Sequence, residues 1–150
     1  MSANFISLLP KAAQVWSAKA IAGIIVADGV VTNAELAVLR ESIGFLEDVD
    51  SINDIVSKVK DREKPKLEVL KTDRVTATKI LMSLALVALT DDKLTSAETD
   101  YFKYIAGKLG FEEGIAKATI NWGREFIALN KKKQKIIQMG EESTPVYINY

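Results

Sequence analysis

The chain has 150 residues, 48% of them hydrophobic and 27% charged, which is the usual size and composition of one compact globular domain. Its 20 basic residues balance its 20 acidic ones, so the chain as a whole offers no electrostatic attraction to nucleic acid or to an anionic membrane. It contains no cysteine and no histidine, which excludes disulfides, zinc sites of the usual kind, and catalysis by a Cys–His pair or a Ser–His–Asp triad.

The first half of the chain predicts an apolar helix followed by an amphipathic one. Residues 11–27 contain few polar side chains, and their second half is apolar on every face, which is typical of a helix in the middle of a core. Asp28 and Gly29 then break the pattern, because glycine tolerates the positive φ of a tight turn. Thr32 and Glu35 have the Thr-x-x-Glu spacing of a capping box, which predicts that the next helix begins there.

The amphipathic helix carries its apolar residues at helical spacing, and a short third helix is expected over residues 51–60. The charged, proline-containing stretch 61–66 predicts an exposed connection between two halves. The side chains of these two helices expected to face the core are Leu36, Leu39, Ile43, Leu46, Ile52, Ile55, Val56 and Val59.

The second half predicts the same order of elements. Asp73 is expected to cap a helix whose segment 80–89 is again apolar nearly all round, and this run is far shorter than the roughly 20 residues that cross a bilayer. Thr95 and Glu98 form a second capping box, which predicts another helix start. The side chains expected to face the core from that helix are Tyr101, Phe102, Ile105 and Leu109, with Gly110 in a left-handed conformation at its end.

A last helix is predicted from Glu112 to about Gln138. The residues from 139 onward are expected to form a loose tail, because Gly140 and Pro145 interrupt the helical period. The aromatic residues Trp16, Trp122, Phe102 and Phe126 are interpreted as core. The apolar contacts expected from the last helix are Ile115, Ile120, Trp122, Phe126, Ile127 and Leu129.

A shift of 63 positions aligns the two halves, with seven identities over 27 positions that fall at the turn, the cap and the packing positions. We therefore predict an all-α fold: a compact helical domain of two pseudo-symmetric helix–acidic turn–helix repeats plus a C-terminal helix. Residues 1–150 are interpreted as a single domain, with repeat 1 at about 12–60, repeat 2 at about 74–130 and the loose tail at about 139–150.

One segment resembles the signature of the tellurite-resistance TerB-like family (TerB and DjlA N-terminal-like helical domains): Ala27-Asp28-Gly29-Val30-Val31-Thr32-Asn33-Ala34-Glu35. The second copy, residues 90–98, is similar but has Asp92 where the family usually has glycine. The resemblance covers roughly residues 12–127. It implies an all-α fold of pseudo-twofold character and acidic loops that have been proposed as divalent-metal sites in the family.

The residues that would hold a metal are Asp28 and Glu35 in the first turn, and Asp91, Asp92 and Glu98 in the second. Such oxygen ligands select Ca²⁺ or Mg²⁺, and no zinc is expected. The pattern is not an EF-hand, because the twelfth position of either loop is apolar where that loop needs a glutamate. The other interpretation stays open: both glutamates are also fully explained as the third residues of capping boxes.

The predicted function is that of a non-enzymatic, cytoplasmic stress-response module of the TerB type, which binds a divalent cation and interacts with protein partners. The alternatives are a purely structural interaction domain with acidic turns that only cap helices and, less favoured, a metal-dependent hydrolase. No membrane insertion is expected, because the longest apolar run is too short to cross a bilayer. No nucleic-acid partner is expected, because the basic run Lys131–Lys135 is explained by its place near the C-terminal end of a helix. Homo-oligomerisation is left open.

Overall fold

The computed structural model describes residues 5–27, 29, 31–90 and 94–148. Within these ranges the chain forms six α-helices, two short 3₁₀ helices and no strand, which confirms the predicted all-α class. The pseudo-symmetric relation of the two halves stays a prediction. The α-helices are α1 Lys11–Ala27, α2 Asn33–Ser42, α3 Val49–Lys60, α4 Arg74–Ala88, α5 Ser96–Lys108 and α6 Glu113–Glu142, and the 3₁₀ helices are Ile6–Leu8 and Gly44–Leu46.

Side-chain caps explain where α3 and α4 begin. The carboxylate of Asp73 accepts a hydrogen bond from the Thr76 amide at 2.9 Å, as the sequence predicted. Hydrogen bonds from Thr76 hold the pKa of Asp73 below its ordinary value. Helix α3 begins at Val49, two residues before the predicted start at residue 51, because Asp48 accepts from the Asp50 amide at 3.1 Å and so caps the helix earlier.

Helix α1 lies at the centre of the core, as its all-round apolar second half predicts. It contacts α2, α3, α4 and α5, and every residue from 20 to 27 is buried. The apolar run of α4 joins the same core through Ile80 and Leu84, and α5 joins it through Phe102. The two apolar runs that the sequence singled out therefore pack in one hydrophobic cluster.

The close approach of α5 to α1 depends on Gly23, which is buried in the middle of α1. A Cβ at this position would overlap the ring of Tyr101 and lie 2.5 Å from its Cε2 atom. The Tyr101 side chain is itself buried, and its hydroxyl has no hydrogen-bond partner among the described residues. Burial raises the pKa of Tyr101 to about 12.

The connection between α3 and α4 begins exposed, as predicted, but its later part is held against the helices. Leu67 is buried in the core. The indole nitrogen of Trp16 donates to the Glu68 carbonyl at 2.7 Å, and the Leu70 amide donates to the Lys108 carbonyl at 3.0 Å. These bonds tie the connection to α1 and to the end of α5.

Helix α6 departs most from the sequence prediction. It continues to Glu142 instead of ending at about Gln138, so residues 139–142 belong to the helix and not to the tail. Gly140 does not stop it, because a glycine inside a helix costs only about 1 kcal/mol. The side chain of Gln138 also donates to Glu142 Oε1 at 3.1 Å, which supports the last turn.

The core contacts predicted for α6 are wrong in part. Ile120 is buried, but Ile115, Phe126 and Leu129 are 42%, 39% and 68% exposed, and every residue of α6 from 128 onward is exposed. Trp122 and Ile127 are half-buried. Length explains the exposure from residue 128 onward: a helix of 30 residues is about 45 Å long, which exceeds the roughly 30 Å diameter of a small domain. Ile115 and Phe126 are exposed because they lie to one side of the buried face, which Ala116, Ile120 and Gly123 form. No helix in the described part of the chain is both long and apolar enough to span a bilayer.

Candidate cation site at the two capping boxes

Both predicted capping boxes are present in the structure. In the first, the Thr32 hydroxyl accepts from the Glu35 amide at 3.1 Å, and Glu35 Oε1 accepts from the Thr32 amide at 3.3 Å. In the second, the Thr95 hydroxyl accepts from the Glu98 amide, and Glu98 Oε1 accepts from the Thr95 amide, both at 3.1 Å. Each box fixes the start of a helix, α2 or α5, at the position that the sequence indicated.

The structure brings the two capping glutamates to one cavity. Glu35 and Glu98, which are 63 positions apart in the sequence (98 − 35), both line a space of about 90 Å³ between α1, α2, α4 and α5. Glu98 is only 6% exposed, whereas Glu35 is half-buried. The other lining residues are mostly apolar: Ile24, Ile25, Val38, Val87, Ala88 and Thr90.

Helix capping leaves the Glu35 carboxylate with further capacity to accept. In the first box the capping hydrogen bonds end on Oε1 of Glu35. A carboxylate has two oxygens and about four lone-pair positions, so one capping oxygen does not exhaust it. The capping role and a cation-binding role are therefore compatible in this side chain.

Two features of the cavity have opposite electrostatic effects. The N-terminal ends of α2 and α5 each carry about half a positive elementary charge, which attracts anions, whereas the carboxylates of Glu35 and Glu98 attract cations.

Three of the predicted metal ligands, Asp28, Asp91 and Asp92, lie outside the described residues. Among the residues that the structure does describe, no group of three acidic side chains is close enough to hold a metal ion. In the turn after α1 the structure describes Gly29. Its φ of +78° lies in the left-handed region, and its amide donates to the Val26 carbonyl at 2.9 Å. The glycine in the first turn thus has the conformation that the sequence predicted.

Sequence reasoning did not identify the apolar part of the site. Val38 was not on the predicted core stripe of α2, and Val87 was assigned only to the apolar run of α4. The Thr90 hydroxyl donates back to the Val87 carbonyl at 2.8 Å, which is a common way to satisfy a threonine at a helix end. The aligned halves of the sequence did indicate the acidic part of the site, because Glu35 and Glu98 occupy equivalent positions in the alignment.

The fold and the site together define an all-helical domain in which the capping glutamates of two helix starts line one small, mostly apolar cavity. No family model, curated protein or solved structure matches the chain. The resemblance to the TerB-like family therefore rests on the sequence motifs of the two turns.

Proposed function

We propose that this protein is a cytoplasmic, non-enzymatic stress-response module of the TerB type, which binds Ca²⁺ or Mg²⁺ at its two acidic turns and passes that state to a protein partner. The observation that carries the proposal is that Glu35 and Glu98 line the same cavity. Two carboxylates from separate helical hairpins would give a cation a direct effect on how the hairpins pack.

The sequence supplies further oxygen ligands next to described residues of both turns. Asp28 follows the last residue of α1, and Asp91 follows Thr90, which lines the cavity. Ca²⁺ takes six to eight oxygen ligands, and carboxylates together with backbone carbonyls are the usual donors. The Glu35 oxygen that the cap does not use and the aspartates of the turns are the groups from which such a shell would be built.

A second candidate function is that of a purely structural interaction domain. Both hydrogen bonds of each capping box are present, which favours this function, because each glutamate then stabilises a helix start without any metal. The two candidates differ in one measurable way. A cation that binds the folded state stabilises it by mass action, whereas a cap that binds no cation gives no such dependence.

Thermal unfolding in chelator and in millimolar Ca²⁺ or Mg²⁺ separates the two functions. At a cation concentration one hundredfold above the dissociation constant, we expect about 2.7 kcal/mol of added stability. For a domain of this size that corresponds to a rise in Tm of roughly 5–11 °C. An unchanged Tm in either cation would contradict the proposal.

Variants that leave the capping hydrogen bonds in place show where the cation binds. We expect Asp28→Asn and Asp91→Asn to abolish the cation-dependent rise in Tm while the metal-free proteins stay folded. Glu35→Gln should also lose it, because glutamine keeps the capping acceptor but not the charge. The matched control is Asp100→Asn, which changes an exposed carboxylate of α5. If all variants respond to the cation as the wild type does, the ion binds elsewhere.

A further inference from the structure

We propose that α6 pairs with α6 of a second copy of this chain, antiparallel and about a twofold axis, to form a homodimer. This contact goes beyond the proposed function and does not require the cation site. Three observations support it: an exposed apolar stripe with a seven-residue repeat, two opposite charges beside that stripe, and one register that matches both to the second copy.

The apolar stripe, called the seam below, runs along an exposed side of α6. Ile115, Trp122, Leu129 and Ile136 follow one another at intervals of seven residues, which is the repeat of a coiled coil. Ile115 is 42% exposed, and Leu129 and Ile136 are each 68% exposed. Phe126 belongs to the same stripe, because its ring centre lies 5.5 Å from that of Trp122. Most of the seam is therefore open to a partner from outside the domain.

The domain itself packs on a different side of α6. The buried residues of the helix are Ala116, Thr119, Ile120 and Gly123. At 3.6 residues per turn, the middle of this buried face is roughly 120° around the helix from the middle of the seam. A second helix can thus lie along the seam while α6 stays packed on its own domain.

One antiparallel register matches the seam to its own copy. If the twofold axis passes the middle of α6, between residues 127 and 128, the two helices overlap along the whole of Glu113–Glu142. Leu129 then lies against Phe126 of the second copy, and the axis repeats this contact on the other side. The two contacts place large apolar side chains at the centre of the interface.

The same register accommodates the outer parts of the seam. Ile136 lies between Ile115 and Trp122 of the second copy, which covers an isoleucine that is 68% exposed in the single chain. Lys133 lies against Trp122 of the second copy. Its aliphatic stem can cover the indole while the ammonium lies over the ring face or reaches water.

The charges beside the seam are complementary in this register. Glu125 and Lys132 precede Phe126 and Lys133, so they occupy equivalent positions one heptad apart. Both are exposed, and neither forms a salt bridge within the described part of the chain. Neither has an opposite charge three or four positions away on its own helix. Across the seam, Glu125 and Lys132 of the second copy are offset by only about 3 Å along the axis, so the dimer gains two ion pairs.

Charge also decides the orientation of the two helices. In a parallel pair in register, Lys133 would meet Lys133 of the second copy within the seam, and the two basic runs Lys131–Lys135 would lie side by side. The antiparallel register separates the two Lys133 residues by about 16 Å along the axis, beyond the screening length of about 8 Å at physiological salt. The antiparallel pair is therefore the favoured one.

Sedimentation equilibrium in chelator, over roughly 1–300 µM protein, measures the association. We expect a monomer–dimer equilibrium. Leu129→Gln and Ile136→Gln should each weaken it about tenfold or more, because an apolar side chain no longer gains by burial. The matched control is Ala128→Gln, an exposed position on another side of α6, which should leave the equilibrium unchanged. A monomer at every concentration, or a dimer that both seam variants leave intact, would overturn the proposal.

Charge reversal tests the register. Glu125→Lys and Lys132→Glu should each weaken the dimer about tenfold at low salt, because two attractive pairs become repulsive. An equimolar mixture of these two variants should associate as the wild type does, since the mixed dimer regains both pairs, and so should the protein that carries both substitutions. Lys135→Glu, on the far side of α6 from the seam, is the control and should have little effect.

All the substituted residues are exposed, so the fold of the single chain is expected to stay intact. Failure of the mixture to regain dimerisation, or an equal loss in Lys135→Glu, would overturn the proposal. So would a protein that stays monomeric and sediments with vesicles of phosphatidylserine and phosphatidylcholine, because the exposed side of α6 would then belong to an anionic membrane surface.

Discussion

Replacing Gly23 by alanine tests a close contact between the two halves of the fold, that of α1 with α5. Gly23 lies in the buried half of α1, and an added Cβ would overlap the ring of Tyr101 on α5. The ring has little room to move, because Tyr101 is only 8% exposed and its ring centre lies 5.4 Å from that of Tyr104. We therefore expect a steric conflict between α1 and α5 and not a simple gain in helix propensity.

The size of the effect follows from two opposing contributions. Alanine in place of glycine inside a helix gains about 0.5–1 kcal/mol. Overpacking of a filled core typically costs about 1–3 kcal/mol and occasionally more, and here the overlapped atoms belong to a buried ring. The Gly23→Ala protein should therefore lose about 1–2 kcal/mol of unfolding free energy, which lowers Tm by roughly 2–8 °C.

Gly107→Ala is the matched control. Gly107 is also helical, in α5, but a Cβ there meets no atom within 4 Å. This variant should gain about 0.5 kcal/mol, since only the helix propensity changes. Urea denaturation followed by circular dichroism measures both midpoints, and an unchanged m-value shows that stability alone has moved. If Gly23→Ala is as stable as Gly107→Ala, the close approach of α1 and α5 is wrong.

Three further predictions concern the caps, the buried hydroxyl and the basic run. Thr32→Ala and Thr95→Ala should each lower the unfolding free energy by about 1 kcal/mol in urea denaturation, whereas the exposed Ser96→Ala should change it little. Tyr101→Phe should be neutral or stabilising in the same assay, because the hydroxyl is buried and has no partner among the described residues. Since burial raises the pKa of Tyr101 to about 12, from an ordinary value of 10.0, the wild type should lose stability between those two pH values, and Tyr101→Phe should not show that loss. The run Lys131–Lys135 should give no submicromolar binding to DNA or RNA in a salt titration, because the chain is neutral overall.

Local patterns in the sequence were enough to predict most of the fold. The all-round apolar run of α1 indicated a central helix, and Thr32 and Thr95 marked two helix starts, because capping is decided by residues three positions apart. The length and the contacts of α6 could not be predicted in this way. A helical period shows which residues share a face, but it does not show how far the neighbouring helices extend along that face. Leu129 was expected in the core for this reason, and it is exposed.

The candidate site was predicted only in its acidic part. The repeated Thr-x-x-Glu pattern pointed to Glu35 and Glu98, since both are near helix starts and both follow an acidic turn. That the two glutamates line one cavity depends on how α1, α2, α4 and α5 pack, and a pattern within one helix carries no information about this. The positions of Val38 and Val87 at this cavity also depend on how the helices pack.

A titration of the ¹⁵N-labelled protein with Ca²⁺, followed by backbone amide shifts, tests the proposed cation site most directly. The account predicts saturable shifts at Gly29, across residues 31–35 and across residues 94–98, with little change in α3 or in the second half of α6. Mg²⁺ should shift the same amides. Shifts that do not saturate, that spread over the whole chain, or that leave both turns unchanged in millimolar Ca²⁺ and Mg²⁺ would contradict it.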